Sequence, residues 1–155
     1  MNDNDASVQV LRQFRQIFNA VKTHFRQVES DAGLGGAQVW ALGLIRENPG
    51  IGVTELARRM DVHQSTASNL VRSLVEKALV ATAKDDVDRR SVQLKILPAG
   101  SRTLRASPGP FEGVLPGALR GLDPELLHRM HVDLAVLIRA LQAEGTDPHT
   151  PLAEL

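Results

Sequence analysis

The order of elements between residues 54 and 97 constrains the fold of this chain more than any other feature. Two helical segments are predicted, at Glu55 to Met60 and at about Gln64 to Lys77, and only Asp61-Val62-His63 separates them. Helices joined by so short a turn form a helix-turn-helix. Thr54 offers an N-cap for the first helix, because a Thr hydroxyl accepts a hydrogen bond from a free N–H group at a helix start.

Two predicted strands follow the second helix directly. Val80 to Lys84 forms the first strand, and Ser91 to Leu97 forms the second, in which apolar and polar residues alternate. The hydrophilic residues Asp85 to Arg90 lie between them as a hairpin tip. A helix-turn-helix followed by a hairpin with a basic tip is a winged helix. We therefore predict a mainly α (α+β) fold, a winged helix-turn-helix with flanking N- and C-terminal helices.

The flanking helices carry apolar stripes that must be buried. Residues 8–30 form one long predicted helix, Ala37 to Glu47 a second, and about Pro124 to Ala143 the last, which Asp123 caps. The stripe of the first consists of Leu11, Phe14, Phe18, Val21, Phe25 and Val28, and that of the last of Leu127, Met130, Leu134, Leu137, Ile138 and Leu141. Such spacing marks one face of a helix. These faces pack either against a second copy of the chain or within one subunit.

The region between wing and last helix is less regular. Pro98 suits the first turn of a helix, and Ser107 to Pro110 must break that helix, because Pro removes a backbone donor. Residues 111–119 are predicted as a further helical piece, and residues 144–155 as a loose tail.

Charge and composition narrow the class of protein. The chain has no net charge, but residues 54–105 hold ten Lys and Arg against six Asp and Glu. A local basic face is sufficient to attract phosphate groups, because the attraction acts over about 8–10 Å. The chain has no Cys, no apolar run near 18 residues and a polar, acidic start. We therefore expect a cytoplasmic protein with no membrane span and no disulfide.

The motifs between residues 53 and 100 resemble those of the MarR family of bacterial regulators. The similar segments are Thr54 to Met60, Gln64 to Val71, Leu79-Val80, Asp86 to Arg90, and Leu94 with Pro98-Ala99-Gly100. The resemblance covers roughly residues 8–143. The chain differs from the usual family pattern at His63, Asn69, Ala78 and Leu97, where Ser or Thr, Arg, Gly and Thr are usual.

The resemblance implies a transcriptional regulator that binds double-stranded DNA, and we expect a repressor rather than an activator. Residues 1–155 would be one subunit, 37–100 its DNA-binding part, and 8–30 and 101–143 its dimerisation helices. A homodimer would contact a near-palindromic operator whose half-sites lie about 10 base pairs apart.

Candidate DNA-binding residues follow from the same resemblance. They are Ser65, Thr66, Ser68, Asn69 and Arg72 on the recognition helix, and Arg89 and Arg90 on the wing. In the alternative interpretation, Ser65 and Thr66 are helix caps, and Asn69 and Arg72 form a solvated helix face without contacting DNA. One wing arginine is expected to reach DNA, Arg89 by the family pattern, while the other pairs with Asp86 or Asp88.

Family members often respond to small aromatic or phenolic anions. Phe14, Phe18, Phe25 and Trp40 are the candidate ligand-binding residues, and the alternative is that they are simply core. His128 and His131 stand one helical turn apart but have neither Cys nor a clear carboxylate partner, so we expect helix-surface residues, no metal and no cofactor.

No motif of an enzyme is present: the sequence has no nucleophile elbow, phosphate loop or HExxH pair. We therefore expect no catalysis. The alternative function is a winged-helix module that binds another protein and not DNA. Arg89 and Arg90 argue against that alternative, and the zero net charge argues for it.

Overall fold

The computed structural model describes residues 5–84, 86–88, 90–107 and 109–155. Among these residues, helices and strands follow the predicted winged-helix order. They are α1 Ala6–Ala32, α2 Gly36–Glu47, α3 Val53–Met60, α4 Gln64–Glu76, β1 Val80–Lys84, β2 Val92–Ile96, α5 Pro98–Arg105, α6 Val114–Arg120 and α7 Pro124–Ala140, with a 3-10 turn at Leu152–Glu154.

The start of α3 differs from its prediction. The helix begins at Val53, and Gly52 is its N-cap residue, without any side-chain cap. Thr54 therefore lies inside the first turn, and the expected Thr54 cap is wrong. The cap expected at Asp123 is confirmed, since its side chain accepts a hydrogen bond from the Glu125 N–H.

Helix α2 is the centre of the core. Its side chains Val39, Leu42 and Ile45 are fully buried, and the surrounding elements contribute Leu56 from α3, Leu74 from α4, Leu94 from β2 and Leu104 from α5. Burial of such side chains contributes about 1.5–3 kcal/mol each. One apolar helix thus holds the helix-turn-helix and the wing together.

A single β-bridge joins the two-stranded wing to the segment between α2 and α3. Strands β1 and β2 pair antiparallel, with Val80 opposite Ile96 and Lys84 opposite Val92. Ile51 forms a further antiparallel bridge with Leu94. Gly100 is needed behind the sheet, because a Cβ there would collide with the carbonyl oxygen of Leu79. These contacts fix the direction of the hairpin relative to α4.

The flanking helices bury little of their apolar stripes. On α1, Phe25 and Val28 are buried within the subunit, whereas Leu11 is 47% and Phe18 65% exposed. Helix α7 has no buried residue at all. No helix among the described residues is long and apolar enough to cross a membrane.

The predicted helix break at 107–110 is confirmed, because α5 ends at Arg105 and α6 begins only at Val114. The connection lies along α1: Ser107 is buried and donates to the Val28 carbonyl, and a ring nitrogen of His24 lies 2.8 Å from the Pro110 oxygen. Pro108 is outside the described residues.

The prediction of a loose tail at 144–155 is wrong. Pro151 is buried. The His63 imidazole, at the start of α4, lies 2.9 Å from the Asp147 carboxylate. The tail therefore packs back on the helix-turn-helix, which the sequence pattern did not indicate because it has no apolar periodicity.

Candidate nucleic-acid interface

Helix α4 separates an apolar face from a polar one. Ala67, Leu70, Val71 and Leu74 are buried. On the other face, Ser65, Asn69 and Arg72 are exposed, and Thr66 and Ser68 are half-buried. Short polar side chains allow a helix to approach base edges in the major groove closely. All five predicted recognition residues thus lie on α4, three of them fully open to solvent.

Polar bonds from α2 hold the back of α4. The Gln38 side chain donates to the Ser73 hydroxyl at 3.0 Å and accepts from the Lys77 ammonium at 3.0 Å. This bridge fixes α4 against the central core helix, so its outer face is presented on a rigid element. The sequence analysis missed Gln38, since no local pattern pairs it with residues 35 and 39 positions away.

The N-terminal end of α4 has no side-chain cap. His63 is the N-cap residue, and its side chain makes no capping hydrogen bond. The start of α5 at Leu97 also has no side-chain cap. The alternative that Ser65 or Thr66 caps the helix is thus not seen, because α4 begins at Gln64. The free N–H groups and the helix dipole make this end favourable for an anion.

Asn69 and Arg72 contact each other on the outer face. The Arg72 Nη1 group donates to the Asn69 side-chain oxygen at 3.3 Å, one helical turn away. Helix positions three apart are neighbours on the surface. Since the Asn69 oxygen is the acceptor in this bond, its amide nitrogen is left as a hydrogen-bond donor.

Asp88 organises the wing tip. Its carboxylate accepts from the Arg90 backbone N–H at 3.0 Å and from the Ser91 hydroxyl at 3.2 Å. The Arg90 residue is exposed, and its contact with Asp88 is through the backbone N–H. Arg89 and Asp85 lie outside the described residues.

Helix α3 carries an exposed ionic cluster. Glu55 accepts from Arg58 at 2.6 Å and from Arg59 at 2.9 Å. Hydrogen bonds from Arg58 first and Arg59 second lower the pKa of Glu55 to about 2. Both arginines remain largely exposed, with side chains 70% and 42% accessible.

Three of the four aromatic candidates line two separate cavities. A cavity of about 540 Å³ is lined by Phe18 and Phe25 with Lys22 and Arg26. Trp40 lines a separate cavity of about 340 Å³ together with Phe111. Phe14 lines neither, and its ring lies 6.0 Å from that of Phe18. The four predicted ligand residues are therefore not gathered in one of these cavities.

Phe111 was missed as an aromatic partner of Trp40. It packs over Gly43, where a Cβ would come within 2.8 Å of its ring, and the Arg46 guanidinium lies 5.7 Å from the ring centroid. Only the tertiary structure shows this grouping, since 71 positions separate Trp40 and Phe111 in the sequence.

His128 and His131 are both exposed on α7. Among the described residues, no group of three or more His, Cys, Asp or Glu side chains is arranged to hold a metal ion.

Two curated relatives are similar to part of the chain. The HTH-type transcriptional repressor MdtR of Bacillus subtilis (strain 168) is 26% identical over 100 residues, 64% of this chain and 61% of MdtR. A putative transcriptional regulatory protein for the hcr operon of Thauera aromatica is 31% identical over 85 residues, 55% of this chain and 51% of that protein. The matched part thus spans less than two thirds of either relative.

Solved structures share the fold over most of the chain. A MepR-like protein complexed with pseudoligands has a TM-score of 0.56 and 21% identity, covering 91% of this chain and 94% of its own. An S. aureus MepR mutant bound to an oligodeoxyribonucleotide has a TM-score of 0.50 and 20% identity, covering 85% and 97%. At this identity the likeness is one of fold.

The family model agrees with these likenesses. It matches residues 32–91, from the end of α1 through the wing tip, and its description is the MarR family. The same residues hold α2, the helix-turn-helix and the first strand of the wing. The similarity to the MarR family thus covers the winged helix-turn-helix, over residues 32–91.

Proposed function

We propose that this protein is a sequence-specific transcriptional regulator, acting as a repressor, that binds double-stranded DNA through α4 and the wing. The observation that carries the proposal is the outer face of α4, where Ser65, Asn69 and Arg72 are exposed and no acidic side chain stands before Glu76. The DNA-bound MepR mutant, a protein of the same fold, supports it.

In this proposal residues 37–100 are the DNA-binding part. The helix carries the base-reading groups, because the major groove presents a distinct donor and acceptor pattern for each base pair. The wing, with Arg89 and Arg90, contacts the phosphate backbone or the minor groove. Such contacts fix the position of the protein on the duplex without reading sequence.

The protein acts as a homodimer in this account. Helix α7 has no buried residue, and the exposed side chains of the α1 and α7 stripes need a partner surface. Monomeric proteins rarely leave contiguous apolar patches of such extent. A second copy supplies that surface, and its two-fold axis would align two recognition helices with a near-palindromic operator.

We also propose a small aromatic or phenolic effector. The cavity lined by Phe18 and Phe25 combines apolar walls with two cationic side chains, Lys22 and Arg26, and one acidic side chain, Glu29, so its charged side chains favour an organic anion by one unit. A ligand shifts DNA affinity only through different affinities for two conformations of the dimer. Because Trp40 lines the other cavity, its fluorescence reports binding there, and displacement of DNA reports binding at either.

A gel shift on the DNA upstream of the protein's own gene tests the central proposal. We expect a retarded complex that excess random duplex does not remove, and its release by a salicylate-like compound if the effector proposal holds. If random duplex competes for the protein as effectively as unlabelled upstream DNA does, the result would contradict sequence-specific binding. Complete absence of DNA binding would favour the protein-interaction module.

A further inference from the structure

The C-terminal segment, residues 144–155, docks on the turn of the helix-turn-helix. The His63 Nε2 atom lies 2.9 Å from an Asp147 carboxylate oxygen, and the His149 Nδ1 atom lies 3.3 Å from an Asp61 carboxylate oxygen. The two imidazole rings meet edge to face with centroids 5.2 Å apart. The segment therefore contacts both ends of the three-residue turn.

Further contacts anchor the segment beyond this turn. Pro151 is buried, and Ala153 packs so closely on α2 that a Cβ at Gly36 would come within 2.9 Å of it. Leu152 and Leu155 line the cavity that Phe18 and Phe25 form. These contacts anchor the segment on the C-terminal side of Asp147.

The docked segment places negative charge where DNA would approach. It contains Glu144, Asp147 and Glu154 and neither Lys nor Arg. The backbone N–H of His149 donates to Asp147 and lowers the pKa of its carboxyl, which keeps that group ionised. In helix-turn-helix proteins the N-terminal residues of the recognition helix contact DNA, and a helix N-terminus attracts phosphate.

We propose that the C-terminal segment is an autoinhibitory contact: the Asp147 carboxylate, held by the His63 imidazole beside the N-terminal end of α4, opposes a DNA phosphate there. This inference rests on the proposed DNA-binding function. DNA binding displaces the segment from His63 and Asp61, so part of the binding free energy is used to undock it.

The affinity of the full chain for a random-sequence duplex tests this contact. Asp147→Asn removes the charge, and Glu144→Gln is the matched control, because Glu144 is exposed and its side chain has no hydrogen bond or ion pair with the described residues. We expect Asp147→Asn to bind about two- to fivefold more tightly than wild type at low salt. The control should stay close to wild type, and the gain should shrink as salt screens the charge.

A deletion of residues 146–155 and the imidazole NMR signals of His63 and His149 provide second measurements. We expect the deletion to bind at least as tightly as Asp147→Asn, and both imidazole signals of the wild type to shift when duplex is added. A wild type that binds DNA while Asp147→Asn gains no more than Glu144→Gln would overturn the autoinhibitory contact alone. If neither the wild type nor any variant binds duplex, the proposed DNA-binding function fails with it.

Discussion

The side chains of Asn69 and Arg72 form one hydrogen-bonded unit on the exposed face of α4, joined at 3.3 Å. Because the Asn69 oxygen accepts from Arg72, its amide nitrogen is left as a hydrogen-bond donor. A donor there suits an acceptor at the base edge, such as the O6 or N7 atom of guanine. The pair therefore links base recognition at Asn69 to the placement of a cationic group one turn away.

Asn69→Ala removes this base-reading group. We expect a loss of about 1–3 kcal/mol on the specific operator and little change on random duplex. Asn19→Ala, on the exposed face of α1, is the matched control and should bind both DNAs like wild type. Competition binding with the two DNAs measures both quantities. An equal loss on operator and random duplex would rule out base reading by Asn69.

Charge introduced into the α7 stripe should break the dimer. Ile138 is 43% exposed in the single subunit, and Ile138→Glu would place an unpaired carboxylate in the proposed interface, where its desolvation is costly. Sedimentation should show a dimer for wild type at micromolar concentration and a monomer for the variant. Val136→Glu, a similar change outside the stripe, should stay dimeric. Wild-type protein that sediments as a monomer would refute the proposed dimer.

Ala78→Gly should stabilise the protein. Ala78 adopts a φ of 56°, in the left-handed region that costs residues with a Cβ about 1–2 kcal/mol. Glycine avoids this cost, although it gains entropy when unfolded, so the net gain in unfolding free energy should be up to about 1 kcal/mol. Ala20→Gly, inside α1, should instead destabilise by about 1 kcal/mol. Urea unfolding compares the two, and a loss at both positions would contradict the argument.

Glu55 should make stability depend on pH in the acid range. Its pKa is about 2 in the folded protein, below the ordinary 4.5, because Arg58 and Arg59 donate to the carboxylate. A lowered pKa stabilises the fold above the unfolded value and loses that effect as pH falls toward the folded value. Glu55→Gln should therefore be slightly less stable than wild type at pH 6, and this difference should disappear as the pH falls through about 2. A difference that does not change with pH would contradict the ionic origin.

Local sequence patterns predicted the helices and strands. They did not predict the contacts between residues that are far apart in the sequence. The period of Ala67, Leu70, Val71 and Leu74 predicted the buried face of α4 correctly, since each helix turn repeats the same environment. The contact of His63 with Asp147 bridges 84 positions, and no periodicity connects its two ends.

The short strand pairing and the lining of the cavities could not be predicted from the sequence for the same reason. Ile51 pairs with Leu94 through a single bridge, too short to show alternation. From the sequence, the aromatic residues of α1 were predicted to share one ligand site with Trp40. In the fold, Trp40 instead shares a cavity with Phe111, a residue of the segment that follows α5. The element order was therefore readable from sequence, and the composition of the cavities was not.

The salt dependence of the DNA affinity is the sharpest test of DNA binding by this winged helix. Wild type and Arg89→Ala would be titrated with fluorescently labelled upstream DNA at several salt concentrations. We expect the logarithm of the association constant to fall linearly with the logarithm of the salt concentration, by about 0.9 per phosphate contacted. For Arg89→Ala we expect a slope smaller by about one unit. Absence of binding at low salt, or an affinity independent of salt, would contradict the claim that this winged helix binds DNA.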